Sequence, residues 1–205
     1  MTIFDLLLLL TVSAAAAALP RGAYLLARGR WRASRRTVLG LGAVLGLYAA
    51  TLVMVSLVSP QRVMGLHQDR CFDDWCLSVE RVAHPRAIGA VAARGKFYLV
   101  TVQVSSRAKG IVQRALDAQV YLLDARGQRY DPAPAPQRAL DAAGAGGQPL
   151  DTELPPGGSF TRTVAFDLPP HARRVSLVVA HGLFPAVLVI GDPQSLLHRP
   201  TIVPL

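Results

Sequence analysis

Two long apolar runs come first in the chain, and a region of short alternating segments follows them. From Val38 to Val58 the sequence reads VLGLGAVLGLYAATLVMVSLV, with no charged residue. At 1.5 Å per residue a helix of this run is about 31 Å long, enough to cross a bilayer core. The earlier run, Ile3 to Leu19 (IFDLLLLLTVSAAAAAL), is interrupted by Asp5 and met by Pro20. Its helix would reach about 26 Å, the short limit of a span. The pattern predicts a first membrane helix within residues 1–19 and a second over 38–58.

The segment between them, residues 20–37, carries Arg21, Arg28, Arg30, Arg32, Arg35 and Arg36 and no acidic residue. Short loops so rich in arginine stay on the cytoplasmic side, and Trp31 can sit at headgroup level beside them. Both helices then lead away from the cytoplasm. The short N-terminus and everything after Pro60 lie outside, which makes the chain a multi-pass protein of the cytoplasmic (inner) membrane with its C-terminal domain in the periplasm or outside the cell. A cleaved signal peptide over residues 1–19 is the rival, since Ala14 to Ala18 offers small-residue cleavage sites. Against it, the first residues hold no Lys or Arg and do hold Asp5.

After a juxtamembrane linker at 59–75, residues 76–205 alternate with period two, the signature of half-buried strands. In Lys96 to Ser105, Tyr98, Val100, Val102 and Val104 share one face. In Phe160 to Leu168, Phe160, Val164, Phe166 and Leu168 point inward, and in Arg174 to His181, Val175, Leu177 and Val179 do the same. Shorter candidates are Leu77 to Ala83, Ala118 to Asp124, Gln128 to Tyr130, Ala186 to Ile190 and Thr201 to Val203. Asp124-Ala125-Arg126-Gly127 has the residues of a type I turn and predicts a hairpin. About seven or eight short strands without a long amphipathic helix predict an all-β, immunoglobulin-like antiparallel sandwich, and the lack of strand–helix alternation excludes a parallel α/β fold. Residues 132–158 are rich in Pro, Gly and Ala and read as a long flexible or partner-binding loop.

Composition sharpens this picture. Of 205 residues 51% are hydrophobic and 17% charged, which excludes a disordered chain, and the net charge of +9 invites a nucleic-acid reading. The six arginines of residues 20–37 hold much of that excess, and the exported region shows no basic run. Nucleic acid is therefore not an expected partner; the lipid bilayer is.

Chemistry is sparse. Cys71 and Cys76, in CFDDWC, are the only cysteines. Export favours a disulfide between them, which in the chain-entropy model stabilises by ~2 kcal/mol and would pin the first strand and orient Trp75. His67, Asp69, Asp73 and Asp74 surround the pair, but neither a zinc nor a calcium spacing is complete. A metal-handling or thiol-redox role for His67 to Cys76 stays as an alternative. His84, His171, His181 and His198 are scattered near predicted turns and strand ends. No nucleophile elbow, zincin or phosphate-loop motif occurs, so no catalytic residue, cofactor or metal is expected and no enzyme is foreseen. Gly42, Gly46 and Ala50 place a small-residue face on the second helix. It is read first as the seam of a helix hairpin with Ala14 and Ala18, and otherwise as a homodimer contact.

Three exported segments resemble the small bacterial extracytoplasmic immunoglobulin-like domains of telokin-like or immunoprotective-antigen type: Gly95 to Val102, Leu123 to Tyr130, and Leu154 to Gly158 leading into Val164 to Pro169. The resemblance covers about Leu77 to Ile190 and implies the sandwich architecture. The family is mostly of unknown function and supplies no catalytic residue. The chain departs from it in having Ser105-Ser106 after the long strand, where members often have Asn, and two helices where many carry a lipidated cysteine. The expectation is a membrane-anchored binding or scaffolding protein of the envelope, alternatively an accessory subunit of a transport or secretion complex, with another envelope protein as a partner.

Overall fold

The structure, a computed structural model, describes residues 3–72, 74–116, 118–182 and 186–205. It divides into two units, residues 1–60 with 183–200, and residues 61–182 with 201–205.

In the first unit, α1 (Ile3–Ala27) and α2 (Trp31–Val58) form an antiparallel hairpin, and both are long and apolar enough to cross a membrane. Pro20 does not end α1, contrary to expectation. Proline removes one backbone donor, but the residues beyond it, GAYLLA, can still pack against a partner helix, and such a proline is tolerated when they do. Gly22 is buried there, its carbonyl accepting the Ser34 hydroxyl at 3.0 Å. The helix stops where Gly29 takes φ +69°, while the amides of Gly29 and Arg30 bond the carbonyls of Leu26 and Leu25. This is the Schellman arrangement, in which glycine avoids the left-handed penalty. All six arginines thus sit toward the turn end of the hairpin, Arg21 on α1, Arg28 and Arg30 in the turn itself, and Arg32, Arg35 and Arg36 on α2.

The second unit is a β-sandwich of two four-stranded antiparallel sheets. Its strands are β1 (Arg70–Phe72), β2 (Trp75–Ala83), β3 (Ala87–Ile88), β4 (Val91–Ala92), β5 (Lys96–Ser106), β6 (Ala118–Leu123), β7 (Arg129–Tyr130), β8 (Ser159–Leu168), β9 (Ser176–His181) and β10 (Ile202–Pro204). One sheet runs β1-β2-β5-β8, the other β10-β9-β6-β7, and β3-β4 is a small separate hairpin. Alternation decides what is inside: Leu77, Val79, Val100, Val102, Val104 and Phe166 of one sheet meet Leu122, Leu177 and Val179 of the other in one core. The linker reading of 59–75 gives way here, since Val63 bridges Ile202 and β1 pairs with β2.

Residues 132–158 are an ordered cover, not a free loop. Pro134–Ala142 forms helix α3, opened by Pro134 in its first turn, where the missing donor costs nothing. Leu140 packs with Ile88, Phe97 and Ala165 on the outer face of the first sheet. Gln137 acts as a false strand along the edge of β8, its Oε1 accepting the Ala165 amide at 2.9 Å and its Nε2 donating to the Thr163 carbonyl at 3.1 Å. The Ala133 amide bonds the Ala165 carbonyl, and the Gly146 carbonyl accepts the Thr163 amide. An edge strand left open is a template for unwanted pairing, and this segment closes it.

Candidate functional site

Two places in the sandwich gather chemistry. The first is the corner built by the disulfide. Cys71 and Cys76 face each other in the β1–β2 register with Cα atoms 3.9 Å apart, and they are bonded. The closed hairpin seats Trp75 in the core and stacks it on Phe72, with ring centroids 4.8 Å apart. His181 closes the cluster, 5.2 Å from the Trp75 ring and 5.6 Å from Phe72, and Arg70 lies 4.8 Å over Phe72. Trp75 thus sits in the core directly beside the disulfide-closed hairpin.

The residues around the cysteines are committed elsewhere. His67 Nδ1 lies 3.0 Å from Glu80 Oε2, and the Asp69 carboxylate is 3.1 Å from the Arg107 guanidinium. Asp74 accepts from Gln113 Nε2 at 3.4 Å. Asp73 lies outside the described residues. Among the described residues no three His, Cys, Asp or Glu side chains converge as a metal site would need, and the sulfurs are spent in a disulfide. Glu80 is the extra residue of a β-bulge between Val79 and Arg81. Hydrogen bonds from Ser78 and then His67 hold its carboxyl below the usual range. Of the other histidines, His84 stands edge-on to Tyr98 with Nδ1 3.1 Å from the Phe97 carbonyl, and His198 Nδ1 is 2.8 Å from the Arg199 carbonyl.

The second place was invisible as a motif. A cleft of about 350 Å³ opens where the β6–β7 turn meets the loop before β9, lined by Asp124, Ala125, Arg126, His171, Arg173 and Arg174. The two loops are stitched by the Ala125 amide, which bonds the Arg173 carbonyl at 3.1 Å. Asp124 builds the floor: its Oδ1 accepts the amides of Arg126 at 2.8 Å and Gln128 at 3.0 Å, and its Oδ2 accepts the Tyr130 hydroxyl at 3.2 Å. Burial pushes the Asp124 carboxyl up, but the hydrogen bonds from Gln128, Arg126 and Tyr130 outweigh it and leave the pKa lowered. The same burial, together with the Asp124 charge, raises Tyr130.

Asp124 is thereby occupied by local donors, whereas Arg126, Arg173 and Arg174 make no ion pair among the described residues. Arg174 is held at φ +50°, a left-handed conformation uncommon for a side-chain-bearing residue and a frequent mark of functional loops. Three guanidinium groups and an imidazole around one cleft can take an anion, because planar guanidinium forks match carboxylate and phosphate oxygens. The sequence signal was faint: His171 to Arg174 (HARR) is a short basic cluster, and Arg126, 45 residues before its start, joins it only through the fold.

The small-residue face of α2 is not the hairpin seam. Among the described residues no atom of another segment lies within 4 Å of a Cβ built on Gly42 or Gly46, and Ala50 is exposed. The residues that α2 buries are Ser34, Leu52 and Ser56.

No family model matches the chain, and no curated protein matches it. Among solved structures it is similar to the secreted protein MPT63 of Mycobacterium tuberculosis, with 14% identity over 61% of this chain and 93% of that one and a TM-score of 0.43. It is also similar to the yjhA protein of Bacillus subtilis, with 11% identity over 71% of this chain and 99% of that one and a TM-score of 0.46. An uncharacterized β-sandwich protein of Clostridium difficile aligns at 7% identity over 72% of this chain and 95% of that one, with a TM-score of 0.42. No residue role passes from any of them to this chain.

Proposed function

We propose that the chain is a membrane-anchored, extracytoplasmic immunoglobulin-like binding protein of the envelope, and that its sandwich recognises an acidic group without catalysing a reaction. The observation that carries the binding role is the cleft between the β6–β7 turn and the loop before β9, with three arginines lacking ion-pair partners among the described residues. Export is supported by the arginines clustered at the turn of the helix hairpin and by the disulfide, which persists outside the cytoplasm. The ligand class follows from the donors: a carboxylate- or phosphate-bearing surface or polymer held by charge-assisted hydrogen bonds, with affinity that falls as salt rises.

The test uses the full chain in lipid nanodiscs with polyglutamate and polyphosphate as probes. The variant Arg126→Ala/Arg173→Ala/Arg174→Ala is expected to bind at least one of them roughly tenfold more weakly than the unaltered protein at low salt, since several charge-assisted bonds are removed together. Equal binding by both proteins would overturn the assignment of the cleft.

A further inference from the structure

Residues 186–200 (AVLVIGDPQSLLHRP) belong with the helix hairpin, although they follow the last long strand of the sandwich. Alternation predicted a strand over Ala186 to Ile190; the chain instead forms a 3₁₀ turn at Ala186–Leu188. Further tight turns follow, from the Val189, Asp192, Ser195 and His198 amides to the carbonyls three residues before each, and the Leu196 amide closes the loop onto the Val187 carbonyl at 3.0 Å. Val189, Ile190 and Ser195 are buried.

Two hydroxyls of α2 hold this loop. Tyr48 donates to the Leu188 carbonyl at 2.6 Å, and Ser56 Oγ lies 2.9 Å from Ser195 Oγ, both serines being buried. A Cβ on Gly191 would stand 3.8 Å from the ring of Phe4, at the start of α1. The contrast within α2 is informative. Thr37, Thr51 and Ser59 return their hydroxyls to the carbonyl four residues earlier on their own helix, as hydroxyls in membrane helices do. Tyr48 and Ser56 do not; their partners are on the C-terminal loop.

Depth follows from helix geometry. Counted from Arg36 at 1.5 Å per residue, Tyr48 stands about 18 Å and Ser56 about 30 Å along α2. A hydrocarbon core is about 30 Å thick, so a spanning α2 puts Tyr48 within the core and Ser56 near its far boundary. Irregular backbone at that depth requires partners supplied by protein; the tight-turn bonds of the loop itself and the Tyr48 hydroxyl on the Leu188 carbonyl supply them, while Ser56 pairs with the Ser195 side chain. The outward side chains of the loop are apolar: Leu188, Leu196 and Leu197 are exposed, as are the lipid-side residues Leu47, Met54 and Leu57 of α2. Asp192 is the one acidic residue of the loop, and its carboxylate accepts the Gln194 amide at 2.7 Å. His198 and Arg199 follow directly, where the chain would return to the headgroups.

We propose that residues 186–197 form a re-entrant membrane loop, docked on α2 through Tyr48 and Ser56, with Leu188, Leu196 and Leu197 against the acyl chains of the outer half of the bilayer. The proposal rests on the reading of α2 as a membrane span. It makes the C-terminal part of the chain a second membrane attachment beside the helices.

The test uses the full chain in nanodiscs, unreduced so that the Cys71–Cys76 disulfide stays closed. Met54→Cys, Leu188→Cys and Leu197→Cys each carry an environment-sensitive fluorophore and are read against lipids with a nitroxide on the acyl chain and against aqueous iodide. Acyl-chain quenching at Leu188 and Leu197 comparable to that at Met54, with little iodide quenching, is the expected result. Quenching at Met54 alone, with Leu188 and Leu197 open to iodide, would overturn the re-entrant loop and leave the span intact. Failure at all three positions would overturn the span and the loop with it. In a Tyr48→Phe/Ser56→Ala background, acyl-chain quenching at Leu197 should fall roughly twofold or more as the docking bonds are lost, with Met54 unchanged. Unaltered quenching at Leu197 would overturn docking through these hydroxyls.

Discussion

Asp124 shows how much one side chain can organise. Its carboxylate holds two turn amides and the Tyr130 hydroxyl, so the turn is built around the ionised form. The folded pKa lies below the ordinary 3.8, so its stabilisation is complete above that value and is lost as pH falls through the folded pKa. Asp124→Asn is expected to lower the thermal midpoint at pH 7, and the gap to the unaltered protein should close below about pH 4 when melts are followed across pH. The cysteines make a covalent counterpart. Replacing both by Ser and Ala, Cys71→Ser/Cys76→Ala, should cost ~2 kcal/mol in denaturant unfolding for so small a ring. Near-ultraviolet dichroism should change with it, since the ring seats Trp75 against Phe72. The turn at Asp124 and the cysteine pair were legible as residues because their partners are within six positions in the chain. The cleft was not, because Arg126 meets Arg173 and Arg174 only after β6 and β9 pair.

At the scale of elements, the alternating strands were readable and the covering segment was not. Period-two patterning placed β2, β5, β6, β8, β9 and β10 within about two residues of where they lie. Helix α3 is nine residues long with three alanines and two prolines, and its buried face rests on Pro136 and Leu140 alone, too short a pattern to announce a helix in the sequence. Its place is set by long-range bonds from Gln137 to β8 and by the Arg162–Asp141 ion pair at 2.8 Å, which holds the Asp141 carboxyl below its usual range. Gln137→Ala should release the edge of β8: hydrogen exchange at the Ala165 amide should speed up, with a stability loss of about 1–2 kcal/mol for the two lost bonds. Gly147, at φ +72° and with a Cβ position that meets the Thr161 carbonyl, is a point of close backbone approach between the segment and that edge. The helix hairpin taught a different lesson. The glycine face of α2 was the obvious seam, yet Gly22 and Ser34 meet elsewhere in the hairpin, and among the described residues nothing lies within 4 Å of a Cβ built on Gly42 or Gly46. Gly42→Ala/Gly46→Ala should therefore not lower the helical content or thermal midpoint of the protein in melts followed by circular dichroism, and helix propensity favours a small rise.

For the whole molecule, the arginine clustering and the disulfide make one topological expectation. In spheroplasts, a membrane-impermeant thiol reagent should label Cys71 after reduction from outside; labelling only after membrane rupture would reverse the orientation. The alternation of apolar and polar residues and the lengths of the two apolar runs determined the sequence-level picture: two membrane-length helices, an arginine-rich turn and an antiparallel sandwich. These are local properties, set by the period of a strand, the rise of a helix and the cost of moving arginine across a bilayer. Only the tertiary structure decided which hydroxyls of α2 are spent on the C-terminal loop, which segment closes the edge of β8, and which arginines share a cleft. Each of these is a meeting of residues far apart in the chain, and it depends on buried polar groups finding partners once the core has formed.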